Sequence, residues 1–186
     1  TSAAAAETFS FTAIPDENSS RLKSRFGKVA AYLSDQLGVA VRYVPVKSYA
    51  AAVTAFRNNQ VQLAWFGGLS GVQARRLVPG SEALAQGKED QFFKTYLIAH
   101  HSANVDAAKS LADIADQLKG KTFTFGSKGS TSGRLMPEFY LRDTFNKSPE
   151  DLFEIYACSM RLPEDGGGWR EAALLTWLWA TPILFA

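Results

Sequence analysis

Short strand-like segments alternate with helical segments through most of the 186-residue chain. The strand-like segments are rich in β-branched and aromatic residues, whereas the helical segments carry apolar residues three and four positions apart. Strands are predicted at residues 8–14, 39–46, 61–66, 92–99 and 122–125. In a βαβ unit each helix returns the chain so that consecutive strands lie parallel. The sequence therefore predicts an α/β fold with a doubly wound parallel sheet.

Helices are predicted between these strands, and the clearest one runs from a cap at Ser19 or Ser20 to Leu37. Its apolar residues form one stripe, and Gly38 follows at the position where helices commonly end. Further helices are predicted over residues 49–58, through Val72 and Leu77, over residues 111–118, and from the loop at 126–133 to residue 145. Pro137 lies too deep for the first turn of that last helix, so the helix kinks or begins later.

Composition and charge exclude several classes of protein. Hydrophobic residues make up 46% of the chain and charged residues 20%, which is globular rather than disordered composition. A net charge of +2 gives no argument for a nucleic-acid partner. The single cysteine, Cys158, excludes an internal disulfide and any multi-cysteine metal site. No uncharged apolar stretch reaches about 18 residues, so no membrane-spanning helix is predicted.

The two ends of the sequence differ from the rest. Residues 1–7 are mostly small, as expected of a disordered mature terminus left after a signal peptide is removed. The alternative is a frayed, alanine-rich terminus. Residues 157–186 form an atypical tail, in which a run of three glycines precedes an apolar stretch without a clean period. A terminal helix packed on the sheet, a cloning artefact or a reading-frame error would each explain this tail.

The strongest chemical signal is a loop of glycine and hydroxyl residues that follows the predicted strand at 122–125. It contains Ser127, Ser130, Thr131, Ser132 and Gly133 and leads into a helix. Hydroxyl groups and backbone N–H groups at a helix start make a donor-rich concavity that suits an oxyanion. The loop also lies at the carboxyl end of a strand, where open α/β sheets bind ligands. The alternative is a flexible loop whose serines only cap the helix.

Phosphate-loop and nucleophilic chemistry do not fit this loop. Neither Gly129 nor Gly133 precedes the lysine that a P-loop requires, and no G-x-S-x-G turn presents a serine to a base. The two histidines, His100 and His101, are adjacent and are predicted to point to opposite faces at a strand end. They are therefore not expected to form a metal pair, and neither a metal nor a cofactor is predicted.

A second cluster of candidate residues follows two strands in the first half of the chain. Tyr49 follows the strand at 39–46, and Phe66 and Gly67 follow the strand at 61–66. Tyr49 offers a phenolic donor, Phe66 a wall for an organic substituent, and Gly67 a backbone N–H group. The pattern equally allows Tyr49 and Phe66 to be aromatic residues of the core.

Several of these motifs resemble one family of transport proteins. Residues 44–53, 62–68 and 130–137 are similar in order and type to the phosphonate-type solute-binding proteins of ABC transporters, in the branch usually labelled selenate-binding. The similarity extends from Phe9 to Ile155. It implies a type II periplasmic binding-protein fold with two lobes and a ligand cleft. It also implies a phosphonate or related oxyanion ligand (phosphate, phosphite or selenate), delivered to a membrane permease from the periplasm without catalysis.

Individual family contacts are implied only where the motifs match. The matching positions are Tyr49 on the first lobe and Ser130, Thr131, Ser132 and Gly133 on the second. Ser127, Phe66 and Gly67 match less closely, and Lys94 stands where the family often has an aromatic contact.

Beyond Ile155 the sequence no longer follows the family. The expected lobes are therefore residues 8–91 and an incomplete second lobe at 92–156, and the first lobe is expected to lack its returning strand. Two other functions use the same features. One is an enzyme acting on a phosphorylated small molecule, for which no general base is evident. The other is a ligand-sensing domain of the same fold.

Overall fold

The computed structural model describes the backbone of residues 8–155, 169–176 and 182–185, and the side chains of residues 8–153. These residues fall into two units. Unit 1 comprises residues 8–88 with 182–185, and unit 2 comprises residues 89–155 with 169–176. None of the helices in these ranges is long and apolar enough to cross a membrane.

Unit 1 is built on a five-stranded sheet in the order β2-β1-β3-β9-β4. Its strands are β1 (Phe9–Ala13), β2 (Val41–Tyr43), β3 (Leu63–Trp65), β4 (Glu82–Gln86) and β9 (Pro182–Phe185). Its helices are α1 (Ser19–Leu37), α2 (Tyr49–Arg57) and α3 (Gly68–Leu77). Strand β4 was not expected from the sequence. It has the composition of an exposed edge, and all five of its residues are exposed.

The sheet of unit 1 is mixed rather than wholly parallel. Strand β1 pairs in parallel with β2 and β3, as the βαβ pattern predicted. Strand β9 is antiparallel to β3 on one side and to β4 on the other. The prediction that the first lobe lacks a returning strand is therefore wrong. The apolar tail has no period of two residues or of 3.6 residues, so its sequence did not reveal a strand.

Helix α1 shows how local sequence sets the ends of an element. The Asn18 side chain accepts hydrogen bonds from the N–H groups of Ser20 and Arg21, so Asn18 is the cap instead of Ser19 or Ser20. The helix ends where Gly38 takes a left-handed conformation with φ of 67°. Its cap therefore lies one or two residues before the prediction, and its end at Leu37 matches it.

The larger core of unit 1 lies beneath α2 and α3. Phe56 and Phe66 meet edge to face with their ring centroids 5.6 Å apart, and both are fully buried. Val61 and Ala64 are also fully buried in this cluster. The core thus forms directly under the segments that follow β2 and β3, and it holds the starts of α2 and α3 in place.

Unit 2 contains two short two-stranded ladders. In chain order its elements are β5 (Lys94–His100), α4 (Ala115–Leu118), β6 (Thr122–Phe123), α5 (Met136–Phe145), α6 (Pro149–Leu152), β7 (Glu154–Ile155) and β8 (Trp169–Thr176). Strands β5 and β8 pair antiparallel, and β6 and β7 pair parallel. The strand predicted at 122–125 is shorter, and the helix predicted at 111–118 opens with a 3-10 turn at Ala112–Ile114. Ile114 and Leu141 are fully buried in the core of this unit.

Candidate functional site

In unit 2, the serine-rich loop turns into a helix through a single π-helical turn. This turn covers Thr131–Leu135, and the N–H group of Leu135 donates to the carbonyl oxygen of Ser130 at 3.1 Å. The Oγ atom of Ser130 accepts the N–H group of Gly133 at 3.0 Å and so caps the turn. Insertions of this kind inside helices are frequent at functional sites.

Pro137 explains why the regular helix starts after the loop. It lies within the first two positions of α5, where the missing N–H group of a proline costs nothing. Because Pro137 has no N–H group, the carbonyl oxygen of Gly133 has no helical donor four residues ahead. That oxygen instead accepts the N–H group of Gly126 at 2.7 Å. The later start is thus confirmed, and it releases a carbonyl group that ties the loop together.

The backbones of Gly126 and Gly133 lie in direct contact. A Cβ atom placed on Gly126 would lie 3.1 Å from the Cα atom of Gly133, and one placed on Gly133 would lie 3.0 Å from the Oγ atom of Ser130. Such distances are tighter than most side-chain contacts, so a Cβ atom at either position would push its neighbour by a few tenths of an ångström. The close approach therefore favours glycine at both positions.

One contact from a distant strand was not expected from the sequence. The Oγ1 atom of Thr95, on β5, donates to the carbonyl oxygen of Ser132 at 2.8 Å. A cavity of about 160 Å³ opens at this contact and is lined in part by Thr95, Tyr96, Gly126, Ser132 and Gly133. In the sequence, Thr95 shows only the alternation that is typical of a strand. No local pattern links it to Ser132, which is 37 residues away.

The other loop residues of the prediction lie around the same turn. The carbonyl oxygen of Ser127 accepts the N–H group of Ser130 at 2.9 Å, which folds the loop back before the helix. Thr131 is buried, whereas Ser127 and Ser132 are half-buried. Among the residues with described side chains, the hydroxyl protons of Ser130 and Ser132 have no acceptor. Unit 2 therefore places Thr131, Ser132 and Gly133 in this turn, with Ser130 as its cap and Ser127 in the loop that leads into it.

The arginine of this turn is already paired. The Arg134 guanidinium lies over the ring of Phe125 at 4.1 Å and bonds to the Glu138 carboxylate at 2.7 Å. Arg142 contacts the other oxygen of Glu138 at 2.8 Å. Burial alone would raise the pKa of Glu138, but the hydrogen bond from Arg142 and the charge and hydrogen bond of Arg134 outweigh it and lower the pKa. The remaining donors of the turn are accordingly neutral hydroxyl and amide groups.

In unit 1, Tyr49 lies at the start of α2. Ser48 caps that helix, and its Oγ atom accepts the N–H group of Ala51 at 3.0 Å. The side chain of Tyr49 is only 9% exposed and packs in the larger core cluster of this unit. Tyr49 thus has the position of a core aromatic residue next to the carboxyl end of β2.

Phe66 and Gly67 lie between β3 and α3. The ring of Phe66 is fully buried against Phe56, so it takes the core position that the sequence also allowed and forms no exposed wall. The N–H group of Gly67 donates to the Oγ atom of Ser70 at 3.0 Å, which caps α3. The N–H group of Gly67 is therefore used within its own helix. In unit 2, Lys94 lies at the start of β5 and its side chain is exposed.

The two histidines do not point apart as predicted. His100 ends β5, whereas His101 begins a 3-10 turn, and their ring centroids lie 4.1 Å apart. The prediction assumed an extended backbone at both residues, and the turn removes that alternation. Among the side chains of residues 8–153, no group of three His, Cys, Asp or Glu residues could hold a metal ion.

Comparison with known proteins identifies the family of the chain. Residues 11–160 match the family described as "ABC transporter, phosphonate, periplasmic substrate-binding protein". The chain belongs to this phosphonate-binding family. It is 46% identical to "Probable ABC transporter phosphite binding protein PhnD1" of Prochlorococcus marinus over 129 residues. This aligned region covers 69% of this chain and 43% of that protein. It is 33% identical to "Phosphate-import protein PhnD" of Mycolicibacterium smegmatis over 135 residues. That aligned region covers 70% of this chain and 40% of that protein.

A solved structure confirms the fold class. The structure of Prochlorococcus marinus PhnD1 in complex with methylphosphonate superposes with a TM-score of 0.87 at 30% identity, covering 96% of this chain and 76% of that one. The fold is thus that of the type II periplasmic binding proteins, as the resemblance implied. The chain spans less than half the length of the two curated relatives, at 43% and 40%.

Proposed function

We propose that this chain is the substrate-binding component of an ABC transporter and captures a phosphonate or a related oxyanion. The observation that carries the proposal is the π-helical turn at Thr131–Leu135, with its cap at Ser130. A hydroxyl group has one proton and two lone pairs. Because the Oγ atom of Ser130 accepts the Gly133 N–H group, its own proton is left to donate to a ligand.

The neutral donors of this turn suit a tetrahedral oxyanion. Hydroxyl and amide groups at the start of a helix carry partial positive charge and can surround an anion without a full counter-charge. Arg134 contributes no competing free charge because Glu138 pairs with it at 2.7 Å. The relatives support the same ligand class, since their names and the solved complex refer to phosphite, phosphate and methylphosphonate. Selenate is a further candidate within that class.

The same proposal extends to the remaining contacts, partner and location. Tyr49 supplies the contact of the first lobe, and Ser127 adds to those of the second. The Phe66 ring and the Gly67 N–H group keep their core and capping roles. The ligand passes to a membrane permease, and no covalent chemistry takes place on it. The mature protein acts in the periplasm after export, with its signal peptide removed. In this proposal the two lobes divide between residues 88 and 92, where the boundary between units 1 and 2 (residues 88 and 89) and the predicted boundary (residues 91 and 92) both fall.

Titration of the chain with oxyanions tests the proposed function. Methylphosphonate, phosphite, phosphate, selenate and sulfate are added separately, and binding is followed by calorimetry and by the melting temperature. A ligand that binds only the folded state stabilises it by about 2.7 kcal/mol at a hundredfold excess over Kd. We expect at least one phosphorus oxyanion to bind, and no response to any of them would contradict the proposal.

Two matched serine variants locate the site. Ser130→Ala removes a helix cap and a ligand donor, so we expect lower stability and at least tenfold weaker binding. Ser148→Ala removes the cap of α6, where Oγ accepts the N–H group of Asp151 at 3.3 Å. This control should lose stability but keep its affinity. Equal oxyanion affinities in the two variants would show that the turn is not part of the binding site.

A further inference from the structure

We propose that Thr95 is a positioning residue that orients the Ser132–Gly133 peptide group of the binding turn. The proposal rests on the function proposed for that turn and adds a residue from another strand to it. Thr95 lies on β5, is 8% exposed, and reaches the loop through one hydrogen bond to the carbonyl oxygen of Ser132 at 2.8 Å.

The Ser132–Gly133 peptide group is held at both of its polar atoms. Its carbonyl oxygen accepts the Thr95 hydroxyl at 2.8 Å, and its N–H group donates to the Oγ atom of Ser130 at 3.0 Å. The next carbonyl group, that of Gly133, accepts the N–H group of Gly126 at 2.7 Å. Because a peptide group is planar, fixing both ends sets the direction of its dipole. Thr95 is the only one of these partners that lies outside the loop and its helix.

The direction of this dipole matters for an anion. The cavity of about 160 Å³ is lined by Thr95, Ser132 and Gly133, so a carbonyl group without its donor would present lone pairs to the same space. Lone pairs repel an oxyanion, whereas the hydroxyl protons of the turn attract it. The hydrogen bond from Thr95 engages the Ser132 carbonyl oxygen and so reduces the negative potential that this oxygen presents to an anion in the cavity.

The strand places Thr95 for this role. Along β5, Thr95 and Leu97 are buried and Tyr96 between them is exposed, which is the alternation of a strand with one covered face. The Thr95 side chain therefore lies on the covered face of β5 and meets the loop there. A β-branched side chain has few χ1 rotamers, so its hydroxyl group is presented to Ser132 with little loss of rotational freedom.

Three variants test this role by binding. Thr95→Val removes the hydroxyl group and keeps the shape, whereas Thr95→Ser keeps the hydroxyl group. Ser81→Ala is the matched control in unit 1, because the Ser81 hydroxyl is also 8% exposed and donates to a carbonyl oxygen, that of Val78, at 2.8 Å. We expect Thr95→Val to weaken methylphosphonate binding about tenfold or more, and Thr95→Ser and Ser81→Ala to stay within about threefold of the original protein.

A second readout follows the peptide group itself without a ligand. Hydrogen exchange of the Gly133 amide, measured by NMR, should become about tenfold faster in Thr95→Val and stay unchanged in Thr95→Ser. If the original protein binds no oxyanion, the proposed function fails, but this exchange rate still decides the role of Thr95. Unchanged exchange and affinity in Thr95→Val would overturn the proposal. If that variant does not fold, altered Gly133 exchange in Thr95→Ser would overturn it.

Discussion

Gly126 and Gly133 let two stretches of backbone meet where a side chain would hold them apart. The N–H group of Gly126 donates to the carbonyl oxygen of Gly133 at 2.7 Å, and a Cβ atom on Gly126 would crowd the Cα atom of Gly133 at 3.1 Å. This bond closes the loop onto the start of α5. At the scale of single residues, the absence of side chains is thus as important to the turn as its hydroxyl groups.

Substitution of Gly126 by alanine tests this close approach. The added Cβ atom would lie 3.1 Å from a backbone atom that cannot swing aside, so we expect a loss of about 1–3 kcal/mol in unfolding free energy and weaker oxyanion binding. Denaturant unfolding and calorimetry measure the two effects. The matched control is Gly27→Ala on α1, where nothing lies within 4 Å of the new atom. That change should stabilise by about 0.5–1 kcal/mol, and similar behaviour of the two variants would argue against the contact.

At the scale of elements, α5 carries a charge network that begins in the π-helical turn at Thr131–Leu135. Arg134 and Arg142 lie on either side of Glu138 in sequence, four residues away in each direction, and both contact its carboxylate. This spacing places all three side chains on one face of a helix. The network therefore links the π-helical turn to the regular helix that follows it.

Glu138→Gln should make stability respond differently to pH. The pKa of Glu138 is lower in the folded chain than in the unfolded chain, where it is about 4.3. The ionised Glu138 carboxylate therefore stabilises the fold fully above about pH 4.3, and this stabilisation is lost as the pH falls through the pKa of the folded chain. We expect the variant to be less stable by about 0.5–1 kcal/mol near neutral pH, and the difference to vanish at acidic pH.

Thermal or denaturant unfolding between neutral pH and pH 3 measures this difference. Asp116→Asn is the control, since the exposed pair of Lys119 and Asp116 lies at 2.6 Å but is screened by water. We expect no measurable change at neutral pH for that variant. A Glu138→Gln variant with the same stability as the original protein at every pH would contradict the network.

At the scale of the molecule, unit 1 is completed by residues from the far end of the chain. Strand β9 lies between β3 and β4, so it supplies both neighbours with hydrogen-bond partners. Strand β8 pairs in the same way with β5 in unit 2. The apolar tail therefore contributes one strand to each unit, and the sheet of unit 1 depends on a pairing across more than 90 residues.

Leu184→Pro tests the place of β9 in the sheet. Residue 184 pairs with Ala64 on β3 and with Ala83 on β4, and a proline in the middle of a sheet removes a donor and disturbs the ladder. We expect faster amide exchange in β3 and β4, measured by NMR, and a lower melting temperature. The amides of β6 and α5 in unit 2 are the internal control and should be unchanged. Unchanged amide exchange in β3 and β4 would contradict the position of β9 between these two strands.

Much of the fold was predictable because the signals are local. The stripe of α1 and the glycine that ends it lie within one helix, and the caps at Ser48 and Ser130 act over three residues. The predicted strands are also present, although the structure shortens most of them. Strand β4 was missed because its five residues are all exposed and show no alternation.

The candidate site was predictable as a segment but not as a geometry. The sequence by itself determined the α/β class, the hydroxyl-rich loop and an irregularity of the helix at Pro137, since each follows from chemistry a few residues apart. Only the tertiary structure decided that Phe66 is buried against Phe56, that Thr95 bonds to Ser132, and that β9 pairs with β3. Contacts between distant segments depend on how the whole chain buries its apolar surface and pairs its backbone groups, which no local pattern records.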